Sequence, residues 1–150
     1  ANNYAFTVPM TSEGFRDGHA IFYYINGVKE YEGDYNGGMK TGRWIRKYRN
    51  GKIKDKGSYI NDEKNGPWVF YDNNGQKIKE QNFDGGRPDG KWVEYYRNGQ
   101  KKAEGNYTGK LKEGKWTYWD SNGDVVLKVV YKNGIKIKEE NFLKEEETDD

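Results

Sequence analysis

The stretch Trp44-Ile45-Arg46-Lys47-Tyr48-Arg49-Asn50-Gly51-Lys52-Ile53-Lys54-Asp55-Lys56-Gly57-Ser58-Tyr59 carries the reading of the fold. Asn-Gly between two extended, aromatic-containing segments is the strongest short-range hairpin signal, because both positions of a type I′ turn need positive φ. The stretch therefore predicts one hairpin, with a strand of six residues from Trp44 to Arg49 and one of about eight from Lys52 to Tyr59. The same pattern recurs every 24 residues: Asn26-Gly27, Asn50-Gly51, Asn74-Gly75, Asn98-Gly99 and Asn122-Gly123. Three further columns keep the period. They are Gly18, Gly42, Gly66, Gly90, Gly114; Ala20, Trp44, Trp68, Trp92, Trp116; and Tyr35, Tyr59, Phe83, Tyr107, Tyr131. A fixed period of this length is the signature of a repeat architecture. Five hairpin units are expected over 18–137, with an N-terminal cap over 1–17 and a half repeat plus acidic tail over 138–150.

A two-residue turn would fix the register. It predicts Arg49 opposite Lys52, Tyr48 opposite Ile53, Lys47 opposite Lys54, Arg46 opposite Asp55, Ile45 opposite Lys56 and Trp44 opposite Gly57. In the same register Asp72 faces Lys77, and Trp92 faces Gly105, where a ring can cover bare backbone. Alternation then puts Trp44, Arg46, Tyr48, Ile53, Gly57 and Tyr59 on one side, the Trp face. The opposite side carries Arg43, Ile45, Lys47, Arg49, Lys52, Lys54 and Lys56, six cations around one aliphatic residue. Its equivalents are Val69, Tyr71 and Ile78, then Lys91, Val93, Tyr95, Arg97 and Lys102, then Lys115, Trp119, Val126 and Lys128.

Composition agrees with a thin-cored, surface-dominated fold. Of the 150 residues 33% are hydrophobic and 33% charged, yet 16% are aromatic, which is the share a disordered chain lacks. With no Cys and one His, thiolate chemistry, Cys-ligated zinc and most histidine catalysis are excluded. No apolar run approaches the ~20 residues of a bilayer-spanning helix. Starting at Ala1 rather than Met is read as loss of something upstream, a signal peptide or a segment simply left out, and an exported location is favoured over a cytoplasmic one. Only Lys136 to Glu147 carries a trace of helical periodicity. Tyr4 to Val8 is expected to pair with the first hairpin, and Asn133 to Phe142, which echoes Asn74 to Phe83, is expected to form the final half repeat. The last six residues, Glu145 to Asp150, read as an acidic, disordered tail.

Tyr31-Glu32-Gly33-Asp34-Tyr35-Asn36-Gly37-Gly38, followed by Gly42, Tyr48 and Asn50-Gly51, resembles a MORN repeat. The 24-residue period, the Trp in a Gly-x-Trp column and the missing second-strand Gly at Gln81 and Val129 make it similar to the bacterial MORN repeat variant. The resemblance implies an all-β fold: stacked 24-residue hairpins in one elongated, twisted antiparallel sheet, with no catalytic residue to carry over. It also implies a scaffold that binds proteins or peptides, with association with membrane lipids or an antitoxin role as the alternatives it suggests.

The recurring columns, Trp44, Trp68, Trp92, Trp116 and Tyr35, Tyr59, Phe83, Tyr107, Tyr131, are assigned to structure, since packing repeats and a single ligand site does not. Candidate partner-binding residues are Arg43, Lys47, Arg49, Lys52, Lys54 and Lys56 with the rings Tyr71, Tyr95 and Trp119. Residues 42–65 carry eight cations and three anions, and residues 138–150 two cations and seven anions. The latter could mask the former. The expected function is a non-catalytic scaffold holding a protein or peptide on this aromatic and basic surface, with a toxin-neutralising or a membrane-surface (anionic lipid) role as alternatives. Nucleic acid is the weakest candidate partner. No cofactor or metal is expected: Asp120 to Asp124 has Tyr131 where a calcium loop needs Glu, no glycine run precedes a helix, and His19 has no Ser or Cys beside it and reads as surface polar.

Overall fold

The computed structural model describes residues 3–143. They form one antiparallel sheet of twelve strands in chain order: β1 (Asn3–Thr7), β2 (Gly18–Tyr24), β3 (Lys29–Asn36), β4 (Met39–Lys47), β5 (Ile53–Ile60), β6 (Glu63–Tyr71), β7 (Lys77–Asp84), β8 (Arg87–Tyr95), β9 (Lys101–Thr108), β10 (Leu111–Trp119), β11 (Val125–Lys132) and β12 (Ile135–Asn141). Eleven interstrand steps of ~4.8 Å make an open sheet about 50 Å long. The fold class is as expected from the repeat. β1 pairs with β2, and Ile135–Asn141 is a strand rather than the start of a helix; 144–147 and the acidic tail lie outside the described residues.

The turns correct the expected hairpin. Asn50-Gly51 is not a type I′ pair: Gly51 N donates to Tyr48 O at 2.9 Å and Tyr48 N to Lys52 O at 2.8 Å, with φ of +85° at Gly51 only. That is a three-residue loop, a type I turn closed by a glycine in the left-handed region. The true type I′ turns lie in the connections between units. Asn61 and Asp62 have φ of 47° and 67°, and Asn133 and Gly134 have 51° and 77°. The meander thus alternates two turn types, which lengthens β4, β6, β8 and β10, the first strands of four units, to nine residues. It also means that Asn133-Gly134 corresponds to Asn61-Asp62 and not to Asn74-Gly75, so β12 occupies a first-strand position.

The looser loop changes the register near the turn. Arg46↔Asp55, Ile45↔Lys56, Trp44↔Gly57 and Trp92↔Gly105 pair as expected, but Lys47 pairs with Ile53 and Tyr71 with Lys77. Lys54 is the extra residue of a bulge, so Lys47 never faces Lys54, and Ile53 moves to the side opposite the indoles. Asp72 caps its own loop, its Oδ1 accepting from Asn74 N and Gln76 N, instead of facing Lys77.

The core is mainly a layer of rings on the Trp face, with Val93 buried on the opposite side between Glu80 and Glu104. Opposite Gly57 the ladder skips: Lys56 pairs with Val69 and Ser58 with Asn65, so that Gly66, Pro67 and Trp68 confront one glycine. The Trp68 indole folds back over that bare backbone, and a Cβ on Gly57 would stand 2.2 Å from its Cδ2. Trp44 over Gly33 and Trp116 over Gly105 repeat the contact at 2.2 and 2.1 Å. The ring covering each glycine therefore comes from the following strand, not from its register partner. These indoles donate Nε1–H to Asp34 O, Ser58 O and Asn106 O. Edge-on rings join the units, with Tyr59 and Trp68 centroids 5.0 Å apart and Tyr107 and Trp116 5.2 Å apart. Trp92 is the exception. Gln81 stands where its glycine should be, the indole is only half-buried, and its Nε1 donates to Glu94 Oε1.

Candidate surface for partner binding

On the side opposite the indoles, self-neutralising pairs recur. Lys29–Glu32, Lys77–Glu80 and Lys101–Glu104 lie three residues apart at 3.2, 2.6 and 3.1 Å. The Lys77 ammonium holds the Glu80 carboxyl below the usual carboxylate range, and the Tyr95 hydroxyl donates to the same carboxylate at 3.2 Å. In the unit built from β4 and β5 this pair is replaced by Ile53 and Lys56, and in that of β10 and β11 by Val125 and Lys128.

The nine candidate residues separate into three groups. Arg43, Lys47, Lys52, Lys56 and Tyr71 come together around Ile53: Lys47 pairs with Ile53, Lys56 lies between Ile45 and Val69, and the Lys56 Nζ is 5.8 Å from the Tyr71 ring centroid. Lys52, in the loop, donates to Asn74 O at 3.0 Å. Arg49 and Lys54 turn away, correcting their expected placement. The Arg49 guanidinium sits 5.7 Å from the Tyr24 ring and the Lys54 ammonium 5.5 Å from the Tyr48 ring, on the Trp side of the loops. Tyr95 and Trp119 lie on later units, the first bonded to Glu80 and the second beneath Lys101 at 5.9 Å.

A column of cations at the same 24-residue period went unread in the sequence. Arg16, Lys40, Lys64 and Lys112 each lie over two or three rings, and Pro88 interrupts them. Lys64 Nζ is 4.9, 5.2 and 5.3 Å from Trp68, Phe70 and Phe83. Burial pushes the Lys40 and Lys64 ammonium groups below the ordinary lysine value. Between them a groove of about 320 Å³ is lined by Tyr31, Trp44, Arg46, Asp55 and buried Glu30. Arg46 donates Nε–H to Asp55 Oδ2 at 2.9 Å, and its Nη2 reaches the same oxygen. The spacing of the lysines was visible in the sequence; their position over the rings follows only from the bulge at Gly42 and its equivalents.

The loops bind unit to unit. Tyr24, Tyr48 and Tyr96 donate their hydroxyls to Lys47 O, Tyr71 O and Trp119 O at 2.6, 2.7 and 2.8 Å. Asn26, Asn50 and Asn98 add Nδ2 donations to Arg49 O, Asn73 O and Ser121 O. Three of the five Asn-Gly loops are thus tied to the next unit, while Asp72 and Asp120 cap their own loops in the other two. The model of the MORN repeat variant matches residues 40–61, 64–84, 88–108 and 112–133, more than half of the chain. The chain belongs to the MORN repeat variant family. Each matched MORN unit opens at the cation column and ends at the type I′ turn, so the family's unit is one pair of strands with the Asn-Gly loop at its centre. No curated protein matches the chain significantly.

Among the described residues no group of three or more His, Asp or Glu could hold a metal ion. His19 is exposed, with Nδ1 2.9 Å from Asp34 and Nε2 3.3 Å from Glu32. The hydrogen bond to Asp34 raises its pKa, slight burial opposes, and Glu32 raises it further.

Proposed function

We propose that this MORN-variant chain is a non-catalytic scaffold that binds a protein or peptide partner on the side of the sheet opposite the indoles. One observation carries the reading. Side chains on the Trp face and in the loops recur from unit to unit and are consumed in holding the stack, whereas the opposite side changes its charge pattern between units. Elements that repeat stabilise a solenoid through nearest-neighbour contacts, and those that vary along it are free to discriminate. The family supports a scaffold in general terms, and the cation-rich opposite side of β4 and β5 favours an acidic partner over a neutral one.

The test is affinity capture from the native lysate, with the wild type beside a variant in which Arg43, Lys47 and Lys56 are all replaced by Glu, eluted across a salt gradient. A protein retained by the wild type at low salt and lost from the variant is the expected result. Capture of nothing by either, with both folded, would refute the scaffold reading.

A further inference from the structure

We infer that the opposite side of β4, β5 and β6 is a docking site for an extended acidic peptide segment carrying an apolar side chain between its carboxylates. The inference rests on the scaffold reading and narrows it to one place and one chemistry. Two adjoining grooves of about 350 and 460 Å³ share Ile53. The first runs past Val69 and Pro67 and the second past Tyr71. Their rims are cationic: Arg43 and Lys56 on one, Lys47 and Lys52 on the other. Among the described residues none of these four has an acidic side chain within 4.0 Å. The bordering acids are engaged elsewhere. Glu32, across from Ile45 on β3, is held by Lys29 and His19, and Glu80, across from Val69 on β7, by Lys77 and Tyr95.

The apolar floor inside a ring of cations without acidic partners decides the chemistry. An extended peptide presents alternate side chains on one side, about 7 Å apart, so a central apolar residue can enter the Ile53 groove while carboxylates at the flanking alternate positions meet the rim. Nucleic acid fits less well, because the Tyr71 ring already carries the Lys56 ammonium over one face, which competes with a stacking base.

The repeat supplies a variant built from the protein's own design. Ile53→Lys with Lys56→Glu installs in this unit the pair that Lys77–Glu80 and Lys101–Glu104 form in its neighbours, at equivalent backbone positions. The probe is a fluorescein-labelled peptide of alternating glutamate and isoleucine, set against the same peptide with glutamine for glutamate and with serine for isoleucine. Single-stranded DNA and phosphatidylserine vesicles complete the set, and all are titrated by anisotropy or sedimentation at low and high salt. The expected result is binding of the acidic apolar peptide to the wild type, weakened about tenfold or more by the double substitution and by either peptide change, with the thermal transition unmoved. Equal binding to wild type and variant would overturn the site while leaving a scaffold that binds elsewhere. No peptide binding would also overturn it, as would DNA or vesicle binding that is abolished by the double substitution. Lysate capture in the preceding test speaks to the scaffold reading independently, so the two failures are distinguishable.

Discussion

Replacing Gly57 by Ala tests the contact on which the stack is built. The added Cβ would lie 2.2, 2.3 and 2.5 Å from Cδ2, Cε2 and Cγ of Trp68. Carbon pairs settle at about 3.5–4.0 Å, so the indole must retreat by about 1.3 Å or more. Trp68 is 2% exposed and has nowhere to go without breaking its Nε1 bond to Ser58 O at 3.0 Å and the edge contact with Tyr59. Overpacking costs ~1–3 kcal/mol and the lost hydrogen bond ~1 kcal/mol. Alanine returns ~0.5–1 kcal/mol because glycine is a poor strand residue. The net is a destabilisation of about 2 kcal/mol, or about 4–8 °C in Tm for a chain of this size. Thermal melts followed by tryptophan fluorescence measure it, and a double-mutant cycle with Trp68→Leu isolates the pair. In the Trp68→Leu background of that cycle the same alanine should cost almost nothing. A Gly57→Ala melt within about 1 °C of the wild type, or the same loss in both backgrounds, would refute the reasoning.

Gln81→Gly should act in the opposite direction, raising stability by about 1 kcal/mol, since it removes a buried amide whose Nε2 has no partner and lets Trp92 fold down as its counterparts do; an unchanged melt with Trp92 fluorescence still solvent-exposed would contradict this. The raised pKa of His19 should appear as an NMR titration midpoint above the ordinary histidine value, lowered by Asp34→Asn. Because the folded pKa is the higher one, the His19 pair stabilises fully below the unfolded pKa and loses its effect as pH rises through the folded pKa. The stability gap between wild type and His19→Gln should therefore narrow as pH climbs through that window in urea melts at fixed salt. Asn74 and Asn122 should deamidate ahead of Asn26, Asn50 and Asn98. The latter three hold Oδ1 on the backbone N–H two residues on and Nδ2 on the next unit, whereas Asp72 and Asp120 take the capping role in the other two loops. Peptide mapping after mild alkaline incubation reads the order, and equal rates at all five sites would contradict the locking.

The period made the strand pairing legible, because any column repeating at 24 residues must meet its copy one hairpin further along. The Trp44↔Gly57 and Arg46↔Asp55 pairs followed from counting back from the Asn-Gly pair. What counting could not give was the turn type. Asn-Gly suits two geometries, a two-residue loop with both φ positive and a three-residue loop with only the glycine positive, and they differ by one residue of register on the strand that follows. That single residue moved Lys54 to the Trp side and Ile53 to the other, so the expected stripe of six cations became four around an apolar floor. The connections between units carry the second turn signal, but Gly37-Gly38 and Gly85-Gly86 share their column with Asn61-Asp62 and Gly109-Lys110, so no one residue pair marks the turn in the sequence. The covering of Gly57 by Trp68 was not visible either. It depends on the extra residues after Gly66, which only the ladder reveals.

Where the columns break, the stack changes character. Gln81 interrupts the glycine column and Pro88 the cation column, and both fall at the junction of β7 and β8. Ring contacts among the described residues run from Phe22 to Phe70 and from Trp92 to Tyr131, without a ring pair between the two runs. Lys79 spans the gap, its Nζ 5.1 Å from Phe70 and 5.7 Å from Trp92. In a quasi-one-dimensional stack, stability is a sum of unit and interface terms, so this junction, which lacks a ring pair and sits above an unsatisfied amide, depends on the strand ladder, the Tyr95–Glu80 hydrogen bond and Lys79. The cationic site on β4 to β6 lies wholly on the N-terminal side of that junction. A partner bound there rests on strands whose other face carries the unbroken ring run of Phe22 to Phe70, so its support comes from the most regularly packed part of the stack.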